Sequence, residues 1–290
     1  MNKHAYLIIA HNEPEVLKTL LAMLDDVRND IFVHIDRRAR SVYESIKDYK
    51  PEHSALIFLE HPIAVYWGDI SQVEVEYMLF ERAFSQGQYA YYHLLSGVDL
   101  PIKSQDYIHA FFQQNQGKEF VGFWTDAAHR RDLNRKVYRY YLFTRYFKGG
   151  NALVHSVCAL SRNLFLALQK VTRYKRNQGG LIFQKGFQWV SITQAFCAYL
   201  LSQKEHVFHT FRYTLCPDEI FIQTVLWNSP FREHIYNKES ALIGSMRYID
   251  WERGNPYVWQ EKDTDELLSS PYLFARKFAS ANGNVINLIK

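Results

Sequence analysis

The stretch Tyr6-Leu-Ile-Ile-Ala-His-Asn-Glu-Pro14 sets the pattern that decides the fold: a short, continuously apolar run ends in a polar loop. An amphipathic helix is predicted directly after it, over residues 16–24. The pattern then repeats, with predicted strands at 30–35, 55–59 and 89–95 and a second helix at 70–84. Apolar strands that alternate with helices are typical of a parallel sheet covered on both faces. We therefore predict an α/β fold with a mostly parallel central sheet.

Polar side chains follow three of these predicted strands at the point where each strand ends. His11 and Asn12 follow the first strand, Asp36 follows the second, and Asp99 follows the fourth. Ligands of open α/β sheets bind at the carboxyl ends of the strands. These four side chains are therefore predicted to share one edge of the sheet and to form a binding site. The phosphate-binding signatures GxGxxG and GxxxxGK[ST] do not occur in the sequence.

Composition indicates an ordered, globular chain. Its 290 residues are 48% hydrophobic, and no repeat or linker divides them, so one domain over residues 1–290 is predicted. The net charge of +4 gives weak support for an anionic partner. Three widely spaced cysteines favour neither a disulfide framework nor a zinc site and suit a reducing compartment. No segment reads as a membrane span, so a cytoplasmic protein is expected.

The stretch Leu215-Cys-Pro-Asp-Glu-Ile-Phe-Ile-Gln-Thr-Val-Leu-Trp-Asn228 predicts a helix that begins at Pro217. Proline suits the first turn of a helix because it lacks the N–H that would be unpaired there. Carboxylates in that turn are favoured by the positive end of the helix dipole. Two acidic residues exceed what capping requires, so Asp218 and Glu219 are each candidates for capping or for catalysis.

Metal-binding patterns are missing from the sequence. The one Asp-x-Asp, Asp263-Thr-Asp265, is predicted to cap a helix, and no cluster of histidines has ligand spacing. An anionic ligand would then need fixed cations, for which Arg253 and the pair Arg276-Lys277 are candidates, although each can equally be an ordinary surface charge.

A basic aromatic segment, residues 129–150, holds seven Arg or Lys and six Tyr or Phe residues. It can be a solvated helix face, a patch that faces a membrane or nucleic acid, or a wall that binds glycans. Gly149-Gly150 and Gly179-Gly180 are predicted turns on either side of another helix. Trp251, in a polar loop, is either a core residue or a ring that stacks on a sugar.

Eight phrases in order along the chain together resemble one family. They are AYLIIAHNEP, FVHIDRR, VYWGDISQVEVE, YYHLLSGVDLPIKS, KGFQWVSIT, CPDEIFIQTVL, RYIDWERGNP and LFARKF. The family is that of the core-2/I-branching β-1,6-N-acetylglucosaminyltransferases (glycosyltransferase family 14, the Branch domain), which includes peptide O-xylosyltransferases. The resemblance implies a GT-A fold and inverting transfer from a UDP-sugar, most simply UDP-N-acetylglucosamine, without a divalent metal or other cofactor. It also suggests a nucleotide-binding half, residues 1–105, and an acceptor and catalytic half, residues 106–290.

The resemblance assigns roles residue by residue. Glu219 would be the general base, beside an Asp218 that caps the helix, and Lys277 and Arg253 would neutralise the diphosphate. On the donor side it implies Asp36 at the uracil, Tyr66 packed near it, and Gly186 and Gln188 approaching the sugar, at the edge that also holds His11, Asn12 and Asp99. Trp251, Lys136 and Arg139 would contact the acceptor.

Two departures from the animal family members shape the remaining expectations. The sequence shows neither an N-terminal anchor nor a set of disulfides, so a cytoplasmic, bacterial-type member is expected. Its acceptor would be a glycan or lipid-linked oligosaccharide, with peripheral contact at the inner face of an anionic membrane and no nucleic acid partner. The alternatives are xylosyl, glucuronosyl or other hexosyl transfer on the same scaffold, or a non-catalytic relative that binds glycans or membranes.

Overall fold

The structure, a computed structural model, describes residues 3–148, 151–176 and 179–290. Its central sheet has five strands in the order β3-β2-β1-β4-β6. These strands are β1 His4–Ala10, β2 Asn29–Ile35, β3 Ala55–Phe58, β4 Tyr91–Ser96 and β6 Ser191–Thr193. The first four run parallel, and β6 pairs antiparallel with β4. The predicted α/β class with a mostly parallel sheet is confirmed.

A second, smaller sheet lies beyond the end of β4. It has the strand order β5-β8-β7, with β5 at Asp99–Pro101, β7 at Arg247–Ile249 and β8 at Phe274–Arg276. Strand β5 follows β4 after one tight turn, and it pairs antiparallel with β8. This pairing brings the LFARKF stretch near the end of the chain to the carboxyl edge of the central sheet.

Helices cover both faces of the sheet. The helices are α1 Pro14–Met23, α2 Arg40–Ile46, α3 Ser71–Gln86, α4 Gln105–Gln114, α5 Ala127–Val137, α6 Ala152–Val171, α7 Gln194–Ser202, α8 Lys204–Phe211, α9 Phe221–Trp227, α10 Ala241–Ser245, α11 Thr264–Ser269 and α12 Gly283–Ile289. Alternate side chains of β1 enter opposite cores: Leu7 packs with α3, α7 and α9, and Ile8 packs with α1, α4 and α12. Strands buried on both faces explain why their sequences are apolar throughout.

The structure corrects two expectations about helices. The stretch after Cys216 is not one continuous helix, because a 3-10 turn at Pro217–Glu219, hereafter the PDE turn, precedes α9. Helix α6 is long and apolar enough, by length and composition, to cross a membrane, whereas the sequence was expected to contain no such segment. Its Ser, Arg, Asn and Gln residues interrupt the apolar run and hide its length in the sequence.

The turns predicted around α6 have different outcomes. Gly179 and Gly180 form a turn, as predicted, and both adopt positive φ. Gly149 and Gly150 lie outside the described residues. The division of a single domain at residue 105 stays a prediction.

Candidate active site

The loops that follow β1, β2 and β4 lie side by side at one edge of the sheet. The Asp36 N–H donates to the Ala10 carbonyl at 2.8 Å, and the Gly97 N–H donates to the Ile9 carbonyl at 2.9 Å. His11 and Asn12 directly follow β1, in the loop at this same edge. The residues that follow these strands therefore lie at one edge of the sheet, as predicted, and donor binding there stays a prediction.

At this edge, both carboxylate oxygens of Asp36 accept hydrogen bonds. Both of its oxygens accept hydrogen bonds from Arg38, and Oδ2 also accepts from the Val65 N–H at 3.0 Å. Burial alone would raise the pKa of Asp36, but the hydrogen bonds from Arg38 and Val65 outweigh burial and hold it below its usual value. Burial lowers the pKa of the neighbouring His11, although Asp36 opposes that shift.

Tyr66 lies near Asp36, since Arg38 contacts both side chains, and its packing near the uracil stays a prediction. The Arg38 guanidinium lies 4.3 Å from the Tyr66 ring centroid and that of Arg145 lies 4.5 Å from it. The Tyr66 hydroxyl also accepts a hydrogen bond from Arg145 at 2.8 Å. The aromatic ring is therefore flanked by two cations, in a setting that suits a planar, anionic ligand.

Asp99 faces the protein rather than the open edge. Its Oδ1 accepts from Arg276 Nη1 at 2.7 Å and its Oδ2 accepts from the Ser96 N–H at 2.9 Å. Burial raises the pKa of Asp99 despite the guanidinium beside it. The Arg276 guanidinium also lies 4.7 Å from the Trp189 ring centroid. Asp99 thus fixes Arg276 on β8, which directly precedes Lys277.

The VYWGD loop, residues 65–69, joins this edge to the PDE turn. It begins with the Val65 N–H on Asp36, and its Gly68 carbonyl accepts from the Cys216 N–H at 3.0 Å. Gly68 has φ +72°, and an added Cβ would lie 3.1 Å from Leu215 Cδ1 and 3.3 Å from Cys216 Sγ. Only glycine suits this backbone without strain. The loop therefore holds Glu219 at a fixed place relative to Asp36 and Tyr66.

Glu219 lies in a network of four charged side chains. Its Oε2 is 3.2 Å from Lys185 Nζ and 3.5 Å from Lys136 Nζ. Both lysines also contact Asp132 Oδ2, at 2.8 Å and 3.0 Å. The Glu219 side chain is 35% exposed, whereas those of Lys136 and Lys185 are 8% and 10% exposed. Of the four groups, the Glu219 carboxylate is the one most open to a substrate.

The charges of this network also shift the pKa values of its members. Burial would lower the pKa of Lys136, but the negative charges of Glu219 and Asp132 outweigh burial and raise it. Burial would likewise raise the pKa of Asp132, yet the two lysines bring it well below its usual value. Lys136 is thus held as a cation beside Glu219. Among the described residues, no group bonds to Glu219 Oε1.

Gly186 fixes the backbone segment that carries Lys185. Its N–H donates to the Glu219 carbonyl at 2.9 Å, and an added Cβ would lie 1.8 Å from the Gly122 carbonyl oxygen. Gln188, by contrast, donates from Nε2 to Glu76 Oε1 at 2.8 Å. Burial raises the pKa of Glu76 well above its usual value, and the charge of Asp218 adds to the shift. Gln188 is thus turned toward the interior.

Asp218 does not cap a helix, contrary to the expectation from sequence. Its Oδ2 accepts from Gln72 Nε2 on α3 at 2.9 Å, and its Oδ1 is buried and unbonded within the described part of the chain. Burial, and then the charge of Glu219, raise the pKa of Asp218. The expectation failed because the chain turns at Ile220, which separates the PDE turn from α9 and directs Asp218 inward.

The two candidate cations for a diphosphate differ in whether carboxylates of the protein already pair with them. Arg253 is bound by three carboxylates, those of Asp250, Asp263 and Glu266. Lys277 has no ion-pair partner in residues 3–148, 151–176 and 179–290. Asp263 also accepts from the Gln260 N–H in the capping box of the 3-10 turn Glu261–Asp263, but it makes no side-chain cap to α11, so the predicted capping role holds for that turn only. Among the described residues, Lys277 is therefore the one of these two cations that is not already paired with a carboxylate.

The remaining predicted acceptor residues have different surroundings. Trp251 is exposed, in the loop that follows β7, and Arg139 is half-buried two residues after the end of α5. Lys136, in the last turn of α5, is the predicted acceptor residue that reaches Glu219. No group of three or more His, Cys, Asp or Glu that could hold a metal ion occurs among the residues described.

A protein-family model described as "Core-2/I-Branching enzyme" matches residues 4–267. The chain belongs to the Core-2/I-Branching enzyme family. The predicted relation to that family is therefore confirmed, and the mostly parallel α/β sheet agrees with the GT-A fold that the resemblance implied.

Curated relatives of this Core-2/I-Branching family member are named xylosyltransferases. Xylosyltransferase 2 of Rattus norvegicus is 22% identical over 98% of the chain, as is that of Homo sapiens. Xylosyltransferase oxt of Drosophila pseudoobscura pseudoobscura is 22% identical over 85% of the chain. The chain spans about a third of the length of these relatives, 33%, 33% and 28% in turn.

Among solved structures, mouse xyloside xylosyltransferase 1 in its apo form aligns over 95% of this chain and 97% of that chain. Its TM-score of 0.36 and sequence identity of 10% are too low to carry an argument.

Sequence reasoning missed two members of the charge network. Lys185 lies in the phrase KGFQWVSIT, where Gly186 and Gln188 were singled out, and Asp132 is the single acid of the basic aromatic segment. The isolation of Asp132 among seven cations was a signal that it is paired.

Proposed function

We propose that this protein is an inverting, metal-independent glycosyltransferase that moves a sugar from a UDP-sugar to a hydroxyl of a glycan. Glu219 is the general base, and Lys277 neutralises the diphosphate, with Arg253 as a second cation once its carboxylate partners release it. Membership of the Core-2/I-Branching enzyme family supports the reaction class.

One observation carries the proposal: Glu219 Oε2 is held by two buried lysines, while Oε1 has no partner among the described residues. A carboxylate that is fixed on one side and open on the other can receive a proton in a set direction. The VYWGD loop ties it to the strand edge that carries Asp36 and Tyr66, where the resemblance places the nucleotide.

The reaction follows from this arrangement. Glu219 Oε1 accepts the proton of the acceptor hydroxyl as that oxygen bonds to the anomeric carbon of the donor. The bond from the anomeric carbon to the β-phosphate oxygen breaks on the opposite face, and its electron pair leaves with UDP. One carboxylate suffices for such a direct inversion, unlike the pair that glycosidases need. General-base help of this kind contributes about 10²–10⁴-fold, and cations at the departing diphosphate stabilise its developing charge.

Two donor sugars compete within this proposal. N-acetylglucosamine is the donor that the sequence resemblance implies, whereas the names of the curated relatives favour xylose. The acceptor is a glycan or lipid-linked oligosaccharide.

The test is the release of UDP from purified protein with a panel of UDP-sugars, each with EDTA and with added Mn²⁺. Slow hydrolysis by water makes the assay independent of the acceptor. Release from one donor that persists in EDTA identifies the donor and supports the role of Lys277. Release only with Mn²⁺ would overturn the metal-independent mechanism. Absence of release, together with absence of UDP binding by calorimetry, would favour a non-catalytic relative.

A further inference from the structure

Helix α6 carries an apolar stripe that no part of the described chain covers. The apolar stripe consists of Leu153, Val157, Leu160, Leu164, Leu168 and Val171, which are spaced at three or four residues and are 56–81% exposed. Residues at this spacing lie on one face of a helix. Exposed apolar faces of this size mark interaction surfaces, because water would otherwise favour their burial.

The opposite face of α6 is fastened to the protein. Gln169 accepts from the Tyr140 N–H at 2.8 Å and donates to the Tyr140 carbonyl at 3.0 Å. The Arg162 guanidinium is buried and lies 4.5 Å from the Phe147 ring centroid. A helix held along one side by polar contacts lies flat on the molecule. It is suited to lie in a membrane surface rather than to cross the bilayer.

The charge around the apolar stripe selects the partner. Residues 133–204, hereafter the acid-free segment, contain twelve Lys or Arg and no Asp or Glu. Lys148, Lys170, Arg173 and Lys175 of this segment are exposed at the two ends of α6. Trp67 is exposed beside Lys148, whose ammonium lies 3.8 Å from the ring centroid. Basic and aromatic residues flanking an apolar helix face fit the interface of an anionic bilayer.

A second copy of the chain fits this surface less well. Packing two apolar stripes face to face would bring two acid-free segments together, and like charges at an interface oppose association. An anionic bilayer instead supplies both the apolar interior for the stripe and the negative charge for the lysines and arginines.

We propose that the apolar stripe of α6 docks this protein on the surface of an anionic lipid bilayer, with the helix axis parallel to the membrane. Leu166, on the fastened side of α6, packs in a cluster with Leu215 and Cys216, directly before the PDE turn. The bilayer would therefore lie close to Glu219. That final point rests on the proposed function and suits a lipid-anchored acceptor, whereas docking itself does not depend on catalysis.

The test is flotation of purified protein with phosphatidylcholine vesicles, with and without phosphatidylglycerol. We expect the wild type to float with anionic vesicles and the double variant Leu160→Glu/Leu164→Glu to lose at least about tenfold in vesicle affinity. The matched control is Leu268→Glu/Leu288→Glu, which changes two exposed leucines of α11 and α12 and should float as the wild type does. A second variant, Leu160→Ser/Leu164→Ser, removes apolar area without adding charge and should also bind more weakly.

Two further readouts separate this proposal from others. UDP release in free solution should be unchanged in both α6 variants. A wild type that floats but neither releases UDP nor binds it in calorimetry would overturn the proposed function and leave docking intact. Failure of the wild type to float, or equal flotation of all variants, would overturn docking. A wild-type dimer in sedimentation that the Leu160→Glu/Leu164→Glu variant abolishes, without vesicle binding, would assign the stripe to a second copy of the chain.

Discussion

At the scale of single residues, the site depends on which charges are already paired. Glu219 has one carboxylate oxygen held by two lysines, whereas Arg253 and Asp36 have their polar atoms engaged within the protein. A charged group that already has partners must exchange them for a ligand, and the net gain is then small. Glu219 and Lys277 are the groups at which substitution should act on function rather than on folding.

Replacing the base should separate catalysis from binding. We expect Glu219→Gln to lower transfer by about 10²–10⁴-fold, because the amide cannot accept the hydroxyl proton. UDP affinity, measured by calorimetry, should stay near the wild-type value. Glu239→Gln, an exposed carboxylate outside the site, is the matched control. Loss of UDP affinity together with activity would show that Glu219 is structural.

Removing Lys277, which has no ion-pair partner among the described residues, should weaken the binding of the nucleotide. We expect Lys277→Ala to weaken UDP binding by about tenfold or more, since a charge-assisted contact contributes about 1.5–3 kcal/mol. Lys262→Ala, at an exposed lysine of the same region, should bind UDP as the wild type does. Calorimetry distinguishes the two, and unchanged affinity in Lys277→Ala would remove this residue from the diphosphate site.

At the scale of elements, turns and bridges bring the predicted residues together. The loop around Gly186 carries Lys185 to Glu219, and the segment at Glu119 and Phe120 fastens the same region to β6. There Glu119 accepts from the Thr193 N–H at 2.9 Å and from the Thr193 hydroxyl at 2.5 Å. Both connections are buried, so small changes in them should be measurable as changes in stability.

Gly186 lies so close to the Gly122 carbonyl that no side chain should fit at this position. We expect Gly186→Ala to destabilise the protein by about 1–3 kcal/mol, because the new methyl group would overlap the Gly122 carbonyl and force the backbone apart. Gly283→Ala is the control, since a Cβ there meets no described atom within 4 Å. Urea unfolding measures the free energy of unfolding of both variants. An unchanged value in Gly186→Ala would mean that the loop shifts to accommodate the methyl group without loss of stability.

Stability should depend on pH through Glu119. Burial raises the pKa of Glu119 from 4.5 to about 7, against the hydrogen bonds from Thr193. The neutral acid is favoured in the folded state, so its contribution is complete below about pH 4.5 and is lost as the pH rises through about 7. The wild type should therefore lose about 3 kcal/mol relative to Glu119→Gln between these pH values.

The comparison is made by urea unfolding of both proteins across this range. Any hydrogen bond lost in Glu119→Gln lowers its free energy of unfolding by an amount that does not change with pH. A constant difference between wild type and variant would contradict the raised pKa of Glu119.

At the scale of the whole molecule, the two halves of the sequence share both cores. Leu7 and Ile192 belong to one core cluster, and Ile8 and Trp259 belong to the other. Because neither half buries its apolar surface without the other, we expect one cooperative unfolding transition. Urea curves followed by tryptophan fluorescence and by circular dichroism should coincide. Two separated transitions would contradict the single-domain prediction.

The sequence by itself determined the α/β class, the order of strands and helices along the first hundred residues, and the sheet edge that gathers the polar residues after the strands. These features follow from local periodicity, since buried parallel strands must be apolar and their polar residues collect where each strand ends. The phrases CPDEIFIQTVL and LFARKF also pointed to Glu219 and Lys277 without any three-dimensional information.

Only the tertiary structure decided which charges meet. Lys136, Lys185 and Asp132 are far from Glu219 in sequence, by 83, 34 and 87 positions, yet they form one network with it. No local pattern predicts the inward turn of Asp218, the three carboxylates on Arg253 or the exposure of the α6 stripe, which the described residues leave uncovered. Periodicity reports which face of an element is apolar, but burial and pairing depend on what the rest of the chain places against that face.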